Sequence, residues 1–344
     1  MHWRGNISCL RGAAALMLSA LALAAAWPAL AAPSDNPGVP PPPPPPAKQM
    51  KAWAAEDAKV LDCLPETYLR PDGSVDHAAL VAHEKKRVEV INARLGTHLR
   101  VTETPHYLVC CDGDTTTTAQ FVRWCEALYA SLGGLFGIEA HERVWDGKCM
   151  LFLFTRRAKF EECSCTLDKH DSARAGAYFA VEDYGVGHPK LVKICLPLDE
   201  REPRRLQELF AHEGTHAFFE FYRKPGRLPL WLHEGLAEYM TTVNNPALGP
   251  EKSQKAALAA GDRGDLVRKL FAAQTGQNLK TAEYAAAFSL VDFLIADGKT
   301  KFKKFVEGLK DGKPQEASLA AAYGFGLPEL EKRWRAWLTA PTGK

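Results

Sequence analysis

The sequence predicts an α+β fold in which a small mixed sheet is followed by an all-helical C-terminal half. Three observations carry that expectation. Short apolar runs bounded by turn residues, the pattern of strands, are confined to the chain before Pro203. After Pro203 the apolar residues recur at helical spacing. No internal repeat divides the chain, so the two kinds of element belong to successive parts of one architecture.

In chain order, residues 1–31 read as a signal peptide. Arg4 and Arg11 precede an apolar stretch from Ala13 to Leu30, and Ala29-Leu30-Ala31 supplies a small-x-small cleavage signal just after the helix breaker Pro28. The rival reading is an uncleaved anchor, because the apolar stretch approaches spanning length. No cysteine follows the cleavage point, which argues against a lipoprotein. Export to the periplasm or medium is expected, with no stable membrane insertion once the signal is removed. Residues 32–50 read as a Pro-rich linker, since the run Pro40 to Pro46 must form polyproline II, a semi-rigid spacer of roughly 20 Å.

Residues 51–104 read as an N-terminal helical segment, with Asp76 capping a helix through Val81, Val88 and Ile91 that stops at Gly96. The main domain is expected over 105–344. There His106 to Cys110 reads as a strand and Ala119 to Phe136 as a helix, with Phe121, Trp124, Leu128 and Leu132 on one face. Met150 to Phe154 is a short buried strand, and Ala177 to Val181 and Leu191 to Leu196 are strands around a Gly-rich turn at Tyr184 to His188.

Bulk composition excludes some functions. Hydrophobic residues make up 46% and charged residues 24%, ordinary for a globular protein of 344 residues, and the formal net charge of +2 is spread along the chain. No basic field points to nucleic acid. Of nine cysteines, Cys9 falls in the signal and eight remain: Cys63, Cys110, Cys111, Cys125, Cys149, Cys163, Cys165 and Cys195. In an exported chain an even set predicts disulfides. A second metal site is the rival, weakened because no C-x-x-C pair occurs. Cys110 and Cys111 are expected to face opposite sides of a strand.

The chemistry concentrates after Pro203. His212-Glu213-Gly-Thr-His216 is an H-E-x-x-H motif within an apolar stripe of Leu206, Leu209, Phe210, Ala217 and Phe221, and Pro203 suits the first helical turn. On a helix the two histidines stand about 6 Å apart along the axis, so both imidazoles can reach one ion. Glu213 lies within about 100° of each and is suited to take a proton from water beside that ion. A catalytic zinc site usually has a third protein ligand. After the break at Pro225 to Pro229, a second helix carries Leu230-Trp-Leu-His-Glu234-Gly-Leu-Ala-Glu238-Tyr-Met240. Residues 217–233 allow a turn and an antiparallel return, which makes Glu234 the candidate third ligand. Glu238, one turn on, can accept a hydrogen bond from the far nitrogen of a ligand histidine. His233 is expected to point elsewhere and not to be a ligand. His170 and His188 sit in loops without a partner at ligand spacing.

H-E-x-x-H followed by W-L-x-E-G-x-A-E-Y resembles the gluzincin metallopeptidases, the superfamily of thermolysin and the zinc aminopeptidases, and more closely the peptidase MA-like family of exported bacterial proteins. The similarity covers roughly residues 105–340. It implies a thermolysin-like catalytic domain with an edge strand over the site. It also implies Zn²⁺ held by His212, His216 and Glu234, Glu213 as general base, and a peptide or protein substrate. Glu283-Tyr284-Ala-Ala-Ala-Phe resembles the helix whose leading tyrosine, in the aminopeptidases, donates a hydrogen bond to the oxyanion. A tyrosine packing at a helix start is the alternative for Tyr284, and Tyr178, His188 and Tyr239 are the other candidate donors. The sequence departs from the aminopeptidases in two respects: they have one more residue between the second histidine and the glutamate, and Gly176 to Ala180 lacks the glutamate that binds their substrate's free amine. The second departure favours an endopeptidase that pairs substrate with the strand edge. A catalytically idle zinc-binding or scaffold module of the cell envelope is the alternative function, and hydrolysis of a non-peptide amide there is a third.

Overall fold

The computed structural model describes residues 55–340 except 66, 171, 174, 200, 201, 224, 225, 261–264 and 275–278. The expected signal peptide and Pro-rich linker lie outside the described residues. Two helices come first, α1 (Ala55–Asp62) and α2 (His77–Leu95). Asp76 caps α2 by accepting from the Ala78 and Ala79 N–H groups, and Gly96 closes it in the left-handed conformation at φ 59°. Both ends lie where the sequence puts them.

Strands β1 (Arg100–Glu103) and β2 (Tyr107–Cys111) lead into α3 (Thr115–Phe136), then β3 (Cys149–Phe154), α4 (Arg157–Cys163), β4 (Tyr178–Asp183) and β5 (Lys190–Pro197). The sheet order is β1-β2-β3-β5-β4. The inner strands β2, β3 and β5 run parallel, while β1 and β4 pair antiparallel at the two edges. The sheet is therefore mixed, as expected. Strand β1 and helix α4 are additions to the sequence reading. The four residues of β1 are mostly exposed and too few to set a period. Helix α3 begins earlier than its apolar pattern because Asp114 accepts from the Thr117 N–H and starts the turn through four threonines.

Strands β2 and β3 are buried at every residue, the mark of a sheet covered on both faces. One face (Tyr107, Val109, Leu151, Leu153, Ile194) packs on α3 and on the helices after Pro203; the other (Leu108, Cys110, Met150, Phe152, Cys195) packs on α2 and α4. Cys110 and Cys111 face opposite layers, as predicted. The expected disulfides are not formed: all eight cysteines are thiols. Six of them are buried, filling the layers as small hydrophobes.

The edge strand β4 is fastened from behind. Glu182 lies 2.5 Å from the Arg87 guanidinium of α2 and 2.7 Å from Lys193 of β5. Lys193 also meets Asp168 at 2.6 Å, and Asp168 accepts from the Tyr178 hydroxyl.

Among the described residues the C-terminal half is largely helical: α5 (Pro203–Phe221), α6 (Leu230–Asn244), α7 (Gly249–Ala260), α8 (Leu266–Ala272), α9 (Thr281–Ala296), α10 (Lys299–Lys310), α11 (Gln315–Tyr323) and α12 (Leu327–Thr339). Pro203 occupies the first turn of α5, as the sequence indicates. Among the described residues, no helix is long and apolar enough to cross a membrane.

Two glycines allow the helices to approach closely. A Cβ on Gly214 would lie 2.5 Å from Leu128 of α3, and one on Gly235 would lie 2.6 Å from the Ala287 carbonyl oxygen of α9. Backbone meets backbone at Gly235, so no side-chain rotation can relieve a clash there. Gly235→Ala should cost about 1–3 kcal/mol of stability through overpacking. Gly249→Ala, with open space around it, should change stability little. Thermal unfolding of the two variants makes the comparison; equal melting temperatures would show that α9 can yield.

Candidate metal centre

Helix α5 is buried on every side from Leu209 to Phe219, so the H-E-x-x-H residues lie in the interior. Helix α6 crosses α5 there, and the spacing of one helical turn brings His212 and His216 against Glu234 and Glu238. The Nε2 atoms of His212 and His216 are 3.1 Å apart. Glu234 Oε2 lies 3.6 Å from the first and 3.7 Å from the second. These three atoms form the one group among the described residues arranged to hold a metal.

The fit can be tested on the triangle itself. Ligands about 2.1 Å from a tetrahedral ion stand roughly 3.4 Å from one another, and the three observed edges bracket that value. Glu234 Oε2 is buried without a hydrogen-bond partner. A buried carboxylate oxygen is ordinarily paired, and an ion at the centre of the triangle would satisfy it. The residues fit the group.

Around the triangle, each neighbour has a definite contact. Glu238 Oε1 lies 3.1 Å from His212 Nδ1, which leaves Nε2 toward the triangle. Phe179 of β4 donates its N–H to the Glu213 carboxylate. The edge strand therefore lies beside the site, as the resemblance implies, and holds the base candidate by its backbone. Tyr284, near the start of α9, donates its hydroxyl to Glu234 and is partly open to solvent. His233 is not one of the converging atoms, as expected, but it does not point away. Its ring stacks on His216 with centroids 4.0 Å apart.

Two of the other donors considered are paired elsewhere. Tyr178 donates to Asp168 on the far side of the sheet. His188 is hydrogen-bonded to Tyr68. Tyr239 is partly buried with its phenol pushed up by burial and by Asp292. Glu182 faces the Arg87–Lys193 side, so it does not supply the amine-binding carboxylate that Gly176 to Ala180 lacks.

The electrostatics follow from burial of three carboxylates. Burial pushes the Glu213 carboxyl up. It carries Glu234 up to about 7, partly opposed by His212. Burial also acts on Glu238, but the hydrogen bond from His212 and the charge of Lys252 outweigh it and hold that carboxyl down to about 2. Desolvation pulls the His212 ring down, yet contact with Glu238 and the charges of Glu238, Glu234 and Glu213 carry it up to about 9. His212 is thus the cation of the metal-free cluster. Desolvation and the neighbouring His233 and His212 keep His216 neutral, well below its ordinary value.

Sequence reasoning missed two contributors. Phe179 acts through its main chain, which no side-chain pattern reports. Lys252 reaches Glu238 from α7 at 2.5 Å, across a helix break with no motif of its own.

Residues 185–340 match the family model described as Peptidase MA superfamily. The matched segment contains α5, α6 and α9, hence every metal-triangle residue, Glu213 and Tyr284. Over that segment the chain is similar to the metallopeptidase-like families of that superfamily. No match is found among the curated proteins.

A metal and a proton compete for His212 Nε2, so the sign of the pH dependence follows. The imidazole must be neutral to bind metal, and it is protonated below about pH 9 in the metal-free fold. Apparent affinity should weaken about tenfold per unit as pH falls from about 9 to 7, and more steeply below about 7, where Glu234 also takes up a proton, read by competition with a chelator. His216→Ala should abolish stoichiometric metal. A flat pH profile, or metal retained in that variant, would move the site elsewhere.

Proposed function

We propose that this chain is an exported zinc-dependent endopeptidase, with zinc held by His212, His216 and Glu234 and with Glu213 as general base. The observation that supports this most directly is the buried triangle of two imidazole nitrogens and one carboxylate oxygen, the ligand set of a hydrolytic zinc site with one open position. Similarity to the Peptidase MA superfamily over residues 185–340 supports a peptidase-like, metal-dependent hydrolase. Zinc there supplies Lewis acidity, which makes water a usable nucleophile near neutral pH and polarises a carbonyl.

The chain's own residues do the rest. Glu213 takes the proton of the attacking water and delivers it to the leaving amine. Its burial raises its proton affinity, which suits both halves of that transfer. The Phe179 N–H engages the carboxylate and fixes its direction. Glu238 keeps His212 in the tautomer that offers Nε2. The outer edge of β4 offers main-chain groups at alternate residues, and an extended peptide can pair with them. Glu182 of β4 is turned to Arg87 and Lys193 and not to a substrate amine, which favours internal bonds over chain ends. Tyr284 is the donor we assign to the oxyanion, because its hydroxyl stands beside Glu234 on the open side of the site.

The decisive experiment incubates the purified protein with a proteome-derived peptide library, with and without chelator. Internal cleavages that vanish with chelator and return with zinc are expected, and their absence would sink the endopeptidase reading. Glu213→Gln should keep its zinc and its melting temperature while kcat falls by about 10²–10⁴. Wild-type turnover in that variant would remove Glu213 as base. Tyr284→Phe should lower kcat on the order of a hundredfold with KM nearly unchanged. A loss of zinc instead would make the hydroxyl a support of Glu234.

A further inference from the structure

Lys252 lies in the first turn of α7 with its side chain 11% exposed, and the mechanism above gives it no task. Its ammonium has three N–H donors, and all three are directed to one turn of α6. One reaches Glu238 Oε2 at 2.5 Å, one the Thr241 hydroxyl, and one the Glu238 carbonyl oxygen at 3.4 Å. The Thr241 hydroxyl in turn donates to that same carbonyl. Glu208 also lies 3.7 Å away, but Arg205 already pairs with it at 2.6 Å. A cation in the first turn of a helix opposes the helix dipole. The position therefore disfavours lysine unless the contact across to α6 offsets it.

Charge balance supplies the reason. Glu213, Glu234 and Glu238 are all buried at the crossing of α5 and α6. Set against one divalent ion and two neutral imidazoles, three carboxylates leave one negative charge in a water-poor interior, where an uncompensated charge is costly. Glu238 divides its oxygens, Oε1 to His212 and Oε2 to Lys252. Among the described residues, these two make its ion pairs. Without Lys252, Oε2 would lose its ammonium partner and the carboxylate would no longer be anchored to the turn of α6 that carries it. Its Oε1 would then be free to turn away from His212 Nδ1.

We propose that Lys252 is a positioning residue of the metal centre, anchoring the Glu238 carboxylate so that it stays against His212 Nδ1 and thereby setting how tightly zinc binds. The proposal rests on the zinc reading given above. Removing a hydrogen-bond partner of a metal ligand typically costs 10–100-fold in metal affinity. Lys252 acts one contact further out, so the lower end of that range applies.

The test measures Zn²⁺ affinity of the full chain by competition with a chromophoric chelator, alongside melting of the zinc-free forms. Lys252→Met and Lys252→Gln should each weaken zinc binding about tenfold, while Lys252→Arg should stay within about threefold of wild type because it keeps the charge. In a Glu238→Gln background, Lys252→Met should cause no further loss, since the pathway through Glu238 is already cut. Zinc affinity unchanged in Lys252→Gln, or a Lys252→Met effect that adds in full to Glu238→Gln, overturns the proposal and leaves the metal site standing. Wild-type protein that takes up no zinc overturns the metal site itself, and this inference with it.

Discussion

Burying three carboxylates among phenylalanines and leucines is a standing electrostatic liability, and only positive charge placed within a few ångströms can offset it. At the crossing of α5 and α6 the offset is shared. His212 is drawn into its charged form by Glu238, Glu234 and Glu213, and Lys252 reaches in from α7 to the far oxygen of Glu238. The arrangement is poised for exchange, because a divalent ion at the triangle can take over the role of the imidazolium proton. Glu234, pushed up to about 7, and His212, carried up to about 9, are groups whose protonation a metal would reset.

Such a cluster needs a frame that does not yield. Gly214 lets α5 sink against α3, and Gly235 lets α6 meet the backbone of α9. The second contact fixes where Tyr284 can stand, since the glycine that follows Glu234 is the point on which α9 rests. On the other side, β4 is fastened through Glu182 to α2 and β5 before it presents Phe179 to Glu213. The two walls of the site are therefore held from opposite directions, one by packed helices and the other by a buried ion network.

Much of this was legible in the sequence where one residue type answers one physical need. Asp76 and Gly96 marked both ends of α2 because a cap acceptor and a left-handed residue have few substitutes. His212 and His216 were legible because helical spacing converts sequence separation into a shared face, and Glu234 because the intervening residues are enough for a turn and an antiparallel return. What escaped was whatever depends on a neighbour distant in sequence. β1 exists because β2 offers it an edge. Lys252 is a lysine among several until α7 is seen to cross α6. His233 was expected to point elsewhere, yet its ring lies stacked on His216, a contact that only the crossing of α5 and α6 creates. The expected disulfides failed for a related reason: counting cysteines reports their parity, whereas their environment is decided by strand alternation and apolar layers.

Those thiols have a consequence for how the molecule comes apart. Burial pushes Cys110, Cys125, Cys149 and Cys163 well above the usual thiol range and carries Cys195 up to about 12. Because the thiolate is the reactive form, these groups are chemically silent for as long as the sheet stays covered. Cys165, which is exposed, and Cys63, which is half-buried, are the exceptions. The silent thiols are distributed over both faces of the central strands, so a reagent reaches them only when the layers separate. Their modification rate is therefore a clock for global opening, and the enlarged side chain no longer fits the packed layers. In an oxidising medium each excursion to the open state risks becoming a one-way exit, so persistence there is set by the rate of opening more than by the equilibrium.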